Sequence, residues 1–179
     1  PADHLLETLG VKDQGNSDLC SAFSVSVLSE IQENVLLSPE WQFKKTKEIE
    51  GNWKSWGATA DDAVRAALAG GLEAQKSPFN ILTDGREKVA NPANWPKESD
   101  ALAFEHKKGL FVEVEKLPGF DLFDSIRLAM WQYRHDLCGV AAGVLWHDVW
   151  NGAYVDKFGQ ASFGHMVAII GWRSIEGVP

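Results

Sequence analysis

The sequence predicts an α+β protein in two lobes, a helical lobe over residues 1–105 and a β-rich lobe over 106–179. Three observations predict it. Apolar residues at helical spacing, introduced by capping side chains, mark three helices between residues 20 and 69. Short runs of small and β-branched residues appear only after residue 105. No internal repeat or low-complexity tract breaks the chain, so one sizeable core or two small lobes account for 179 residues.

Residues 1–19 read as an extended lead-in and loop, with Asp13, Gly15, Asn16, Ser17 and Asp18 clustered as turn formers. From Cys20 to about Leu36, Ala22, Phe23, Val25, Val27, Leu28, Ile31 and Val35 predict a largely buried helix. Asp18 or Ser17 is expected to cap it, which puts Cys20 in its first turn. A second helix is expected from Ser38 to about Ile49, because Pro39 stands at the first helical position after a capping Ser38. A third is expected from Thr59 to Ala69, with Asp61 and Asp62 in its first turn and Gly70-Gly71 ending it. Residues 72–100, rich in Pro, Gly, Asn and Lys, read as loop.

Leu110–Leu117 alternates apolar and charged residues through Val112, Glu113, Val114 and Glu115, which predicts a strand with one solvated face. Asp121 to about Arg134 predicts a helix with Phe123, Ile126, Met130 and Tyr133 on one face. Val140–Trp146 and Met166–Trp172 predict strands. Trp-rich stretches at 53–56 and 146–150 are expected to pack or to lie between the lobes.

Composition excludes several classes. The net charge is −8, and nucleic-acid binding needs a basic stripe. Lys44-Lys45-Thr46-Lys47 and His106-Lys107-Lys108 are short and read as solvated helix faces. No apolar run approaches a membrane span. The chain opens at Pro1 without Met, as a trimmed or processed product would, so compartment stays open. Cys20 and Cys138 are the only cysteines, too few for a disulfide framework or a zinc site, and no cofactor or metal is expected.

Cys20 has the sequence context of a nucleophile. Unpaired N–H groups and the dipole at a helix start favour a thiolate. An imidazole must then hold the thiolate and protonate a leaving amine, and N–H donors must meet the oxyanion. Cys138 precedes a strand without activating neighbours and reads as structural. His147, in Trp146-His147-Asp148-Val149-Trp150, is the main rival base but reads as part of a surface turn. His4, His106 and His135 carry no signal.

Four ordered segments resemble the papain and cathepsin family of cysteine peptidases. Val11 to Ser24 is similar to that family's active-site segment, a Gln-Gly pair, a short loop and a Cys six residues after the Gln, then Trp-Ala-Phe-Ser; Gln14 and Cys20 keep the spacing. Leu37-Ser38-Pro39-Glu40 resembles its Leu-Ser-Glu-Gln helix start. Ser77-Pro78-Phe79 resembles its Tyr-Pro-Tyr segment. Gly164-His165-Met166-Val167-Ala168-Ile169-Ile170-Gly171-Trp172 resembles the strand around its catalytic His. That His follows the Cys by roughly 130–150 residues; His165 follows Cys20 by 145.

The resemblance implies a papain-like fold, a helical lobe and a β-barrel-like lobe with the active-site cleft between. It implies Cys20 as nucleophile, His165 as base and acid, and Gln14 as an oxyanion donor with the Cys20 N–H. Trp56 and Gly57 correspond to a substrate-backbone segment, and Gly143 and Met166 to a substrate pocket. A peptide or protein is the implied substrate, with a propeptide or protein inhibitor as further partners. The family's third catalytic member, an Asn in an Asn-Ser-Trp-Gly segment, has no counterpart among the fourteen residues after His165 and is expected beyond Pro179. Ser17 replaces a cysteine of a family disulfide. Ser21 and Gly164 depart from the family's Trp and its Asn or Asp. Two alternatives stay open: an inactive papain-fold binding protein, and a cysteine amidase or acyltransferase on peptide-like substrates.

Overall fold

A computed structural model describes residues 3–147 and 161–173. The fold is α+β. Strand β1 (His4–Leu5) leads through a loop to α1 (Cys20–Glu33), α2 (Pro39–Glu50) and α3 (Ala60–Ala69). Short helices α4 (Ile81–Asp84), α5 (Arg86–Ala90) and α6 (Ser99–Ala103) follow, then α7 (Leu122–Gln132), β2 (Val140–His147), β3 (Ala161–Ile169) and β4 (Gly171–Trp172).

Helix α1 is the central element, and its sides feed all three apolar clusters. Ala22 and Phe23 join Trp41, Phe43, Leu72, Val89 and Trp95 in the helical core. Ile31 and Val27 meet Leu6, Ile126 and Met130. Val25 and Cys20 pack with Ala63, Ala67 and Met166. A helix apolar on several sides has to be buried on several sides. It stops at Glu33, short of Leu36, because Asn34 adopts a left-handed φ of 55° and its N–H closes on the Glu30 carbonyl. Asp18 and Ser17 do not cap it. Leu19 is the N-cap residue and offers no side-chain acceptor, so among the described residues the first-turn N–H groups have no side-chain partner.

Helices α2 and α3 match their capping signals. Ser38 Oγ accepts the Trp41 N–H at 3.1 Å, and Thr59 Oγ1 accepts the Asp62 N–H at 3.1 Å. The solvated face expected at 44–47 is instead buried: Lys44 is 3 % exposed, Thr46 0 % and Lys47 1 %. Carboxylates make this tolerable. Lys44 pairs with Glu48 at 3.0 Å and Asp100 at 2.6 Å. Lys47 donates to Glu50 at 2.6 Å, to Ser55 Oγ at 2.7 Å and to the Gly57 carbonyl. The second basic run is likewise tied down, with Lys108 and His106 both against Glu33 of α1.

Residues 72–100 are not plain loop. Their polar residues cap short helices: Asn80 Oδ1 accepts the Leu82 N–H at 3.0 Å, and Asn91 Oδ1 accepts the Ala93 N–H at 3.1 Å. Trp95 fixes this region to the core and donates Nε1 to the Val89 carbonyl at 2.7 Å. Burying a side chain such as Phe43 stabilises the fold by about 2 kcal/mol.

The β-rich half is sparser than the sequence suggests. Strands β2 and β3 form an antiparallel pair in which Val144 faces His165 and Gly143 faces Met166. The expected 166–172 strand is divided: β3 ends at Ile169, and β4 pairs with β1. Gly171 permits that pairing, since a Cβ there would sit 2.2 Å from the His4 carbonyl oxygen. Leu110–Leu117 forms no strand. No described strand lies alongside it, and Leu110, Phe111 and Val112 are exposed while Val114 alone packs inward. In α7, Asp121 caps and Ile126 and Met130 are buried, but Phe123 is exposed. Among the described residues the sheets are two-stranded and close no barrel. No helix among them is long and apolar enough to cross a membrane.

Candidate active site

Cys20 is the first residue of α1, half-buried and reduced. The loop before it turns through Asp18, whose φ is 56°. Helix α1 lies against β3 and is pinned there by Ser24, whose Oγ donates to the Met166 carbonyl at 2.9 Å. That bond fixes the start of α1 beside the strand segment carrying His165.

A cleft of about 420 Å³ opens at this junction. Cys20 borders it from α1, Ala58 and Ala60 from the start of α3, and Gly143, His165 and Met166 from the hairpin. Cys20, His165, Gly143 and Met166, four of the sequence-predicted residues, are thus brought together. A Cβ on Gly143 or Gly164 would meet nothing within 4 Å, so the glycines leave open space along this wall. Alternation along β3 puts Met166 against α1 and the His165 ring on the opposite hairpin face, with Val144, Trp146 and Phe163. Both residues border the cleft.

The His165 ring is held by packing. It meets Trp146 edge-on at 4.8 Å and Phe163 at 6.1 Å. Burial among them holds its pKa below the ordinary 6.5, because the charged form loses hydration. Among the described residues no hydrogen-bonding side chain orients it. Period-two spacing could have nominated Phe163, two residues before His165; Trp146 needed the strand register.

Gln14 and Trp56 lie elsewhere. They border a second cavity of about 390 Å³ with Asn16, Ser17, Asp18 and Arg86. Gly57 lies between Trp56 of this cavity and Ala58 of the first, with a left-handed φ of 61°. Lys47, buried beneath, anchors it through the carbonyl. Of the Trp-rich stretches, Trp53 packs on the helical core and Trp56 is 76 % exposed. Strand β2 runs on through His147; the turn expected at 148–150 lies outside the described residues.

Cys138 borders neither cavity. Gln32 Nε2 donates to its sulfur at 3.2 Å, and burial pushes its thiol pKa up. The Gln32 bond acts the other way, but burial outweighs it, and a raised pKa suits an inert thiol. Among the described residues, Glu73, Glu105 and His106 have potential ligand atoms within 4.8 Å of one another. Lys76 and Gln75 already donate to the Glu73 carboxylate at 2.6 and 2.7 Å, so the grouping is accounted for by local pairing.

No protein-family model, curated protein or solved structure matches this chain.

Proposed function

We propose that the chain is a papain-like cysteine peptidase, with Cys20 as nucleophile and His165 as acid and base. One observation carries the reading: a cysteine on an uncapped helix start and a histidine 145 residues later border the same cleft. The Cys20 thiolate attacks the substrate carbonyl carbon. The negative charge on the carbonyl oxygen is met by the first-turn N–H groups of α1. Protonated His165 gives its proton to the amine as the C–N bond breaks. Neutral His165 then takes a proton from water, which attacks the thioester, releases the acid and regenerates the thiolate beside protonated His165.

The open wall along Gly143 and Gly164 suits an extended peptide, and Val144, Leu145 and Met166 give the cleft an apolar lining. The test is covalent labelling by an epoxysuccinyl peptide, with the modified residue located by mass spectrometry. Cys20 is expected to be labelled, and Cys20→Ala to lose both label and turnover. A label on Cys138 alone would overturn the assignment.

A second reading is a papain-like fold kept as a peptide-binding module. Gln14 favours it, because that residue borders the neighbouring cavity and not the cleft of Cys20 and His165. Stoichiometric peptide binding without thiol alkylation would decide for it. An amidase or acyltransferase using the same pair is separated from both by a substrate screen.

A further inference from the structure

The second cavity contains a cation that the proposed chemistry does not use. Arg86 begins α5, and its side chain is only 11 % exposed. Its guanidinium stacks over Trp56 at 4.3 Å. One N–H is taken by the Ser55 carbonyl at 2.8 Å. A guanidinium carries five donors in a planar fork. Among the described residues the nearest carboxylate is Glu87, 4.0 Å away and 83 % exposed.

Such a group is an incomplete ion pair. Removing a guanidinium from water without a full set of acceptors costs free energy that a bound carboxylate recovers. Stacking on Trp56 fixes the plane of the fork, so little further ordering is needed on binding. The Gln14 side-chain amide borders the same cavity and is a neutral donor for a carboxylate oxygen. Asp18 also borders it and opposes an anion, but it is exposed and lies beyond ion-pair distance of Arg86.

This cavity adjoins the Cys20 cleft. The loop through Asn16 and Asp18 leads directly into Cys20, and Trp56 and Ala58 border the two cavities from either side of Gly57. A peptide lying in the cleft therefore has the Arg86 cavity along one flank.

We infer that Arg86, stacked on Trp56, is a specificity-determining residue that binds a carboxylate of the peptide, either an acidic side chain or a free C-terminus. The inference rests on the peptide-processing reading of the adjoining cleft. It is tested with peptides that differ only in Glu against Gln at each position around the cut, and with peptides ending in carboxylate against carboxamide. The first pair reports a side-chain site and the second a terminal site.

In one of the two arms the wild-type chain is expected to favour the carboxylate member by about tenfold in kcat/KM. Arg86→Met is expected to bring that ratio to within about twofold of one. Arg86→Lys, which keeps the charge and loses the fork, serves if Arg86→Met does not fold, and must lower the ratio at least about threefold. No preference in either arm, or a preference that survives these substitutions, overturns the inference and leaves Arg86 as a support for Ser55.

Calorimetric binding of the same peptides to Cys20→Ala separates the two claims. An Arg86-dependent preference in affinity, with no cleavage by the wild type, would sink the peptidase reading and leave the carboxylate site standing. Cleavage without any preference would do the reverse.

Discussion

The cleft of Cys20 and His165 and the cavity of Gln14 and Arg86 share two bounding segments, the loop at 14–20 and the stretch at 56–60. Their contents differ. The first is bordered by Cys20 at a helix start, by His165, whose ring packs among aromatics, and by two glycines with open space beside them. The second holds a stacked guanidinium, a side-chain amide and an exposed tryptophan. Reactive groups in one and directional, charged donors in the other suit chemistry beside recognition. The shared segments keep the two in register, and buried charges hold those segments. Glu30 accepts the Leu37 N–H at 2.6 Å and pairs with Lys12 ahead of the Gln14 loop. Lys47 gathers Glu50, Ser55 and Gly57 under the other segment.

The largest expected effect breaks the first cavity and spares the second. Cys20→Ala is expected to lower peptide turnover by at least about 1,000-fold while carboxylate-dependent peptide binding persists. A residual rate near wild type would remove Cys20 from the chemistry. His165→Ala is expected to match that loss, and Cys20→Ala with His165→Ala to cost little more than either alone, since a nucleophile and its base act as a unit.

Lys47→Met strikes both cavities at once. Its side chain is fully buried, and removing it deprives Glu50 of its cation and frees the Gly57 carbonyl. A loss of about 2 kcal/mol in urea unfolding is expected, with turnover and binding both weakened. Burial acts to raise the Glu50 pKa, yet its bonds from Lys47 and Ser55 hold it below 4.5. A lowered folded pKa contributes stability above the unfolded value that is lost as pH falls through the folded one. The stability gap between wild type and Lys47→Met is therefore expected to narrow below about pH 4.5. A gap independent of pH would show that the pair is not what Lys47 contributes.

The smallest effect concerns the dyad itself. Burial lowers the His165 pKa, so the folded chain binds fewer protons there than the unfolded chain, and this contribution to stability falls as pH drops below 6.5. In Cys20→Ala, His165 is expected to titrate below 6.5 by NMR. In the wild type a thiolate across the cleft would raise that value. Equal titration in the two proteins would mean that thiol and imidazole share a cleft without pairing.

Helices α2 and α3 were legible because their signals are local. A capping hydroxyl, a proline in the first turn and a glycine after the last are read within a few residues of chain. Cys20 at the start of α1 was legible from the apolar spacing that begins there, although the expected caps Asp18 and Ser17 do not cap it. The failures were non-local. The alternation at 110–117 has a strand's pattern, but a strand also needs a neighbour, and pattern does not supply one. The lysines of α2 read as a solvated face because Asp100, which receives Lys44 and Lys45, lies more than fifty residues away in sequence.

The sequence by itself therefore determined the α+β class, the three main helices and the presence of a cysteine on a helix start. All three follow from the spacing of apolar residues over a few turns, helped at α2 and α3 by capping hydroxyls. Only the tertiary structure decided which candidates meet. It set Cys20, His165, Gly143 and Met166 around one cleft and moved Gln14 and Trp56 to the next. It surrounded His165 with Trp146 and Phe163 and stacked Arg86, which carries no sequence signal, on Trp56. Those contacts join residues far apart in the chain, and packing selects them through the register of β2 with β3 and the seating of α1 on that hairpin, neither of which local propensity encodes.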